Sequence, residues 1–166
     1  MTVSLPARGT EEGAVARLVL IEARGPSYAT YSATDSLTSM QWMKVVLANR
    51  LNNNPRQFMA PHAATLIDII KAPGQFAGFQ KYPHYDSALA DMLQSIIDIA
   101  NSTKDARSAD FAGFVQNGLK VAREAPVADP SSTGIFAWRT QGSSPPGGRY
   151  AKFKDLAGNT FYTLSA

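Results

Sequence analysis

Apolar residues recur at helical spacing early in the chain. Val15, Leu18 and Val19 follow i, i+3, i+4, and Glu22 takes the next position of that stripe. The spacing predicts a helix from Glu11 to Arg24, opened by Thr10, with Glu11 and Glu12 in the first turn and Gly25-Pro26 closing it. Gly25 to Leu37 reads as a loop carrying Tyr28, Tyr31 and Asp35. Thr38 and Gln41 form a capping-box pattern that opens a second helix through about Leu51, with Met43, Val46, Leu47 and Arg50 on its inward face.

Asn52-Asn53-Asn54-Pro55 breaks the chain. A short helix around Ala63 to Lys71 follows, with Leu66, Ile67 and Ile70 inward, and Pro73-Gly74 ends it. Gln75 to Tyr85 has no period and reads as an irregular aromatic loop. Asp86 to Ser102 carries Leu89, Met92, Leu93, Ile96, Ile97 and Ala100 on one face and Asp91 and Asp98 on the other, as expected of the central core helix. Ala109 to Arg123 predicts another helix, burying Phe111, Phe114, Val115, Leu119 and Ala122.

Helical periodicity stops at Pro126. Ile135 to Arg139 is strand-like, Gly142 to Gly148 reads as a connection between strands, and Asn159 to Leu164 is a final strand after a turn at Ala157-Gly158. The expected fold is α+β and mainly helical: residues 1–166 form one domain with a small C-terminal antiparallel β-element.

Composition narrows the chemistry. A 45% hydrophobic and 17% charged chain folds around a core instead of staying disordered. The net charge of +3 favours anionic partners, yet Arg149, Lys152 and Lys154 form the only local basic group, which argues against nucleic acid. The absence of cysteine excludes disulfides, thiolate metal sites and a cysteine nucleophile. His62 and His84 are the only histidines and neither has a second at i+3 or i+4, so neither metal nor other cofactor is expected. No Gly-x-Ser-x-Gly elbow or phosphate-binding glycine loop occurs. Leu18 to Ile21 is too short an apolar run to enter a membrane, and Met1 to Thr10 lacks the apolar stretch of a signal peptide.

Glu22 is the exceptional position, a carboxylate in an apolar stripe and in the last helical turn, where the dipole disfavours negative charge. Both effects raise a carboxyl pKa, and a carboxylic acid kept protonated near neutral pH is the general acid that glycoside cleavage needs. The competing structural readings are that Glu22 bends to solvent at a frayed end or pairs with Arg24 or Arg50. Aromatic side chains in irregular segments suit a sugar groove, because sugar C–H faces stack on rings. Phe76 and Phe79 read equally well as core; Trp138 and Tyr162 lean towards a groove.

Ala16 to Gly25, with its Glu22-Ala23-Arg24-Gly25, resembles the opening signature of cell-wall hydrolases related to the spore-cortex-lytic enzymes. Further pieces follow in that family's order. Val45 to Leu51 is similar to its apolar-Asn-Arg motif, and Ala72 to Phe76 to its Pro-Gly-x-Phe segment. Asp129-Pro130-Ser131-Ser132-Thr133-Gly134, ahead of Phe136 and Trp138, resembles its Asp-Pro-Thr-x-Gly motif, and Gly158 to Tyr162 its closing motif. The stretch from Pro26 to Met40 is longer than the family's usual connection, and Phe136-Ala137-Trp138 replaces a tyrosine-rich run.

The resemblance implies a lysozyme-like domain that cuts peptidoglycan glycan strands beside N-acetylmuramic acid. Glu22 would be the catalytic acid, Asn49 and Arg50 would brace the site, and Gln75, Phe76, Phe136, Trp138 and Tyr162 would bind substrate. One acid serves both steps of a lytic transglycosylase, which is preferred over a hydrolytic muramidase; the latter needs a second carboxylate, from Asp35, Asp86 or Asp129. A non-catalytic glycan-binding module is the main alternative, and an amidase or peptidase is disfavoured by the missing metal and thiol groups. With no visible signal peptide, action on the cell wall or periplasm implies a dedicated secretion system or release by lysis. An antibacterial role fits that route, with an immunity protein as partner if the chain is a toxin.

Overall fold

Gly13 to Leu20 are eight consecutive buried residues, so the first helix, α1 (Glu11–Glu22), runs through the middle of the molecule instead of lying on its surface. The structure is a computed structural model and describes residues 2–165. Thr10 caps α1 through its hydroxyl, which accepts from the Gly13 amide at 3.0 Å. Ala23, in extended conformation, stops the helix at Glu22, two residues short of the expected end. Enclosure is possible because small residues let neighbours approach. A Cβ on Gly118 of α5 (Ser108–Arg123) would come within 2.9 Å of the Leu20 side chain, so glycine permits this close crossing.

The role of central core helix therefore belongs to α1 and not to the Asp86 to Ser102 segment. That segment forms α4 (Ser87–Ala100), capped by Asp86, and is amphipathic, with only Leu93, Ile96 and Ala100 buried. Its apolar stripe is wider than its buried face, and Met92 is 45% exposed. The strongest helical period in the sequence thus marks a helix with water on one side; α1, buried all round, has a weaker one.

The second helix, α2 (Ala33–Asn52), begins six residues before the expected start. Ser32 is its N-cap, accepting from the Asp35 amide at 3.2 Å, while the Thr38 hydroxyl donates to the Thr34 carbonyl inside the helix. The Ser32-x-x-Asp35 cap, not Thr38-x-x-Gln41, is the operative start signal, so Asp35 lies in a helical first turn. A 3-10 turn at Pro55–Phe58 follows, then the short α3 (Leu66–Ile70), capped reciprocally by Thr65 and Asp68. Glu11 adds to this cap by accepting from the Leu66 amide at 3.1 Å. Lys44, buried in α2, donates to the carbonyls of Val121, Ala122 and Glu124 and so caps the C-terminus of α5.

The β-element is a three-stranded antiparallel sheet of β1 (Ile135–Thr140), β2 (Tyr150–Leu156) and β3 (Asn159–Leu164), in the order β1-β3-β2. Ala157 and Gly158, at φ 47° and 76°, form the tight left-handed turn of the β2–β3 hairpin. Trp42 packs α2 on the sheet, 5.1 Å from the Phe161 ring and 5.7 Å from Phe153.

Pairing skips Phe136 between Ile135 and Ala137, a bulge that frees a backbone carbonyl. Arg50 takes it. The guanidinium donates from Nε to Phe136 O at 2.8 Å and from Nη1 to Gln75 Oε1 at 3.1 Å, flanked by the rings of Phe58 and Phe76. Burial pulls the Arg50 pKa down to about 10, which still leaves it a cation at neutral pH. Its partners are carbonyl oxygens and ring faces. We expect Arg50→Met to lower unfolding stability by about 2–4 kcal/mol, because Phe136 O is left buried without a donor. Urea melts at unchanged slope would show this; a variant as stable as the parent would refute the anchoring role.

Candidate functional site

The C-terminal end of α1 opens into a cleft of about 490 Å³. Its walls come from four directions. α1 and the residues after it supply Ile21, Glu22, Arg24 and Tyr28; α4 supplies Met92, Ser95 and Ile99; α5 supplies Phe111 and Phe114; the sheet supplies Thr140, Gly158 and Asn159. Asn159 Nδ2 reaches the Glu22 carbonyl at 3.5 Å, a long contact that sets the β2–β3 hairpin against the end of the helix.

Glu22 is only partly accessible, and burial raises its pKa above the ordinary carboxyl value. Neither expected cation pairs with it. Among the described residues the ion pairs are Arg107 with Asp105 and Lys152 with Asp155, and no hydrogen bond reaches the Glu22 carboxyl group. Arg50 is turned to Phe136 and Gln75, and Arg24 to Thr30 and the Tyr28 ring. An acid desolvated by an apolar wall, with no cation to hold its charge, retains its proton to higher pH and can deliver it.

A second cleft of about 290 Å³ adjoins the first, with Arg24 and Gly158 in the walls of both. Asp35 lines it, together with the hydroxyl residues Thr30, Tyr31, Ser32 and Ser36. The other two carboxylates considered as catalytic partners hold backbone in place. Asp86 accepts from the Leu89 amide at the start of α4. Asp129 accepts from Asn49 Nδ2 at 2.6 Å, from the Ser131 amide and hydroxyl, and from the Ile135 amide. Asp35 alone of the three faces a cleft contiguous with that of Glu22.

The remaining sequence-selected residues gather elsewhere, around the start of β1. Asn49 clamps Asp129 and Ile135 O, and Arg50 clamps Phe136 O and Gln75. Phe136 stacks on Phe58 at 5.7 Å, and Phe76 stacks on Trp138 at 5.1 Å. Phe76, Phe79, Phe136 and Tyr162 are buried and Trp138 is half-buried, so Phe76 and Phe79 pack as core, and Tyr162 is not on an exposed face. None of Gln75, Phe76, Phe136, Trp138 or Tyr162 lines the Glu22 cleft. The residues that do, chiefly Arg24, Tyr28, Met92, Ser95, Thr140 and Asn159, were not singled out from the sequence as site residues. The available signals were weak: Met92 as an apolar residue beyond the buried width of α4, and Asn159 in the closing motif.

The raised Glu22 pKa fixes a sign for stability. Below the unfolded carboxyl pKa both states are protonated and Glu22 costs nothing. As pH rises through the raised folded value, the unfolded chain has already released its proton, so wild-type stability falls. Glu22→Gln removes that loss, and its stability relative to wild type should increase from pH 4 to pH 8, as read by urea melts across this range. A pH-independent difference would mean that the carboxyl group is solvated.

In comparisons with known proteins, no family model, no curated protein and no solved structure matches this chain.

Proposed function

We propose that this protein is a peptidoglycan-cleaving glycosidase of lysozyme-like character, with Glu22 as its general acid. The observation that carries the reading is an unpaired, desolvated carboxyl group at the wall of a cleft of about 490 Å³. It is supported by the resemblance of Glu22-Ala23-Arg24-Gly25 and the ordered motifs behind it to the cell-wall hydrolase signatures. The open cleft, with apolar Ile21, Met92 and Phe114 beside hydroxyl and amide groups from Ser95, Thr140 and Asn159, suits a sugar, which presents both kinds of surface.

In the transglycosylase route Glu22 donates its proton to the leaving glycosidic oxygen as the C–O bond breaks. The resulting carboxylate then accepts the proton of the muramic 6-hydroxyl while that oxygen bonds to the anomeric carbon. Atoms and charge balance with one acid and no water. The hydrolytic alternative has one observation in its favour, Asp35 in the adjoining cleft, where it could activate a water. Delivery by a secretion system or by lysis, and an immunity partner, belong to the same reading, since peptidoglycan lies outside the cytoplasm.

Purified cell walls test the reading directly. Glu22→Gln should lower the rate of turbidity loss by about 100-fold or more while the protein stays folded, the usual scale for a lost general acid. Substantial lysis by the folded variant would remove Glu22 from the mechanism.

Mass spectrometry of the products decides the route. We expect 1,6-anhydromuramic ends, lighter than hydrolytic ends by one water, about 18 mass units. Reducing muramic ends that disappear in Asp35→Asn would establish the muramidase instead. Cleaved stem peptides on intact glycan would overturn the glycosidase reading altogether.

A further inference from the structure

Arg24 occupies an unusual position for a cation, in the shared wall of both clefts and two residues from the candidate acid. Its guanidinium is held from three sides. It lies 4.5 Å over the Tyr28 ring, its Nη1 donates to Thr30 Oγ1 at 3.3 Å, and it rests against Gly158. Gly158 has φ 76°, as the hairpin turn requires, and with no Cβ it lets the guanidinium lie directly against the turn. Among the described residues no carboxylate pairs with Arg24, and Thr30 is its only hydrogen-bond acceptor. A guanidinium carries five donors in a planar fork matched to a carboxylate. Tyr31 also lines the second cleft, and its hydroxyl is buried without a partner.

Asp35, in the wall of the second cleft, makes no ion pair with Arg24, so the guanidinium fork is left for an anion from outside the chain.

We propose that Arg24 is the specificity residue of this site and that its ligand is a carboxylate carried on the glycan. The carboxylate is either the free lactyl group of a muramic residue or a carboxylate of the peptide attached through it. The assignment rests on the glycan-cleaving reading above and deepens it by naming the substrate group that the site recognises.

Binding tests this separately from turnover. In the Glu22→Gln background, where strands stay intact, calorimetry would compare three ligands of similar length: peptide-stripped strands with free lactyl carboxylates, peptide-bearing strands, and uncharged chitin oligosaccharides. We expect a carboxylate-bearing strand to bind about tenfold or more tightly than chitin, with the preference shrinking as salt is added. The strand type that carries the preference identifies the source of the carboxylate. Adding Arg24→Gln should abolish the preference, so that charged and uncharged strands bind alike. Arg24→Lys keeps the charge without the fork and should lie between, which also covers poor folding of the glutamine variant.

Equal affinity for charged and neutral strands, or a preference that survives Arg24→Gln, would overturn the assignment. If wild-type protein still cuts cell walls in that case, only the role of Arg24 falls. If no strand is bound and none is cut, the glycan reading falls with it.

Discussion

The enclosure of α1 is the constraint on which the rest of the structure depends. A helix with eight successive buried residues needs neighbours on every side, and α2, α3, α4 and α5 all touch it. Its backbone bonds are satisfied internally, but its last carbonyls and its first polar side chain beyond the core must reach an edge. That edge is the cleft. Glu22 lies just past the buried run of α1, so its partial desolvation follows from the fold itself. The sheet completes the edge by bringing Asn159 and Gly158 against the same helix end.

The β1 junction serves this arrangement indirectly. Asn49 and Arg50 project from α2 to the Asp129 turn and to the bulged carbonyl of Phe136, which fixes where the sheet starts. A sheet pinned at that point, and packed on Trp42, presents its β2–β3 hairpin to α1. The motif residues picked out in the sequence thus divide into two groups. Glu22, Arg24, Gly158 and Asn159 face the cleft, while Asn49, Arg50, Gln75, Phe76 and Asp129 hold the scaffold that brings the hairpin there.

Much of the helical architecture was legible because caps and breakers are local signals. Thr10, Asp86 and the Ala157-Gly158 turn each act as their residue types predict. Depth was less legible. Periodicity reports the contrast between two faces, so α4, with one wet face, looked central, and α1, with none, looked ordinary. The start of α2 is ambiguous in sequence because two capping patterns lie six residues apart; the structure uses the earlier one, with Ser36 and Ser39 buried. Aromatic composition also misled about the groove. A phenylalanine near a sugar site and one in the core look alike in sequence; here Phe76 and Phe136 have ring partners inside the protein. The cleft is walled instead by residues from four separated segments, a convergence that spacing along a chain does not encode.

A single acid at a helix C-terminus is an expensive thing for a fold to keep. The dipole there opposes negative charge, desolvation opposes it further, and no cation among the described residues offsets either. A purely structural solution was close at hand, since glutamine has the same shape and none of that cost. Arg24, only two residues on, is turned to Tyr28 and Thr30 instead of to Glu22. Two opposite charges kept apart in one cleft forgo the ion pair that would satisfy both. On the proposed reading, that separation leaves the acid for a bond that needs a proton and the guanidinium for an anion the protein does not supply.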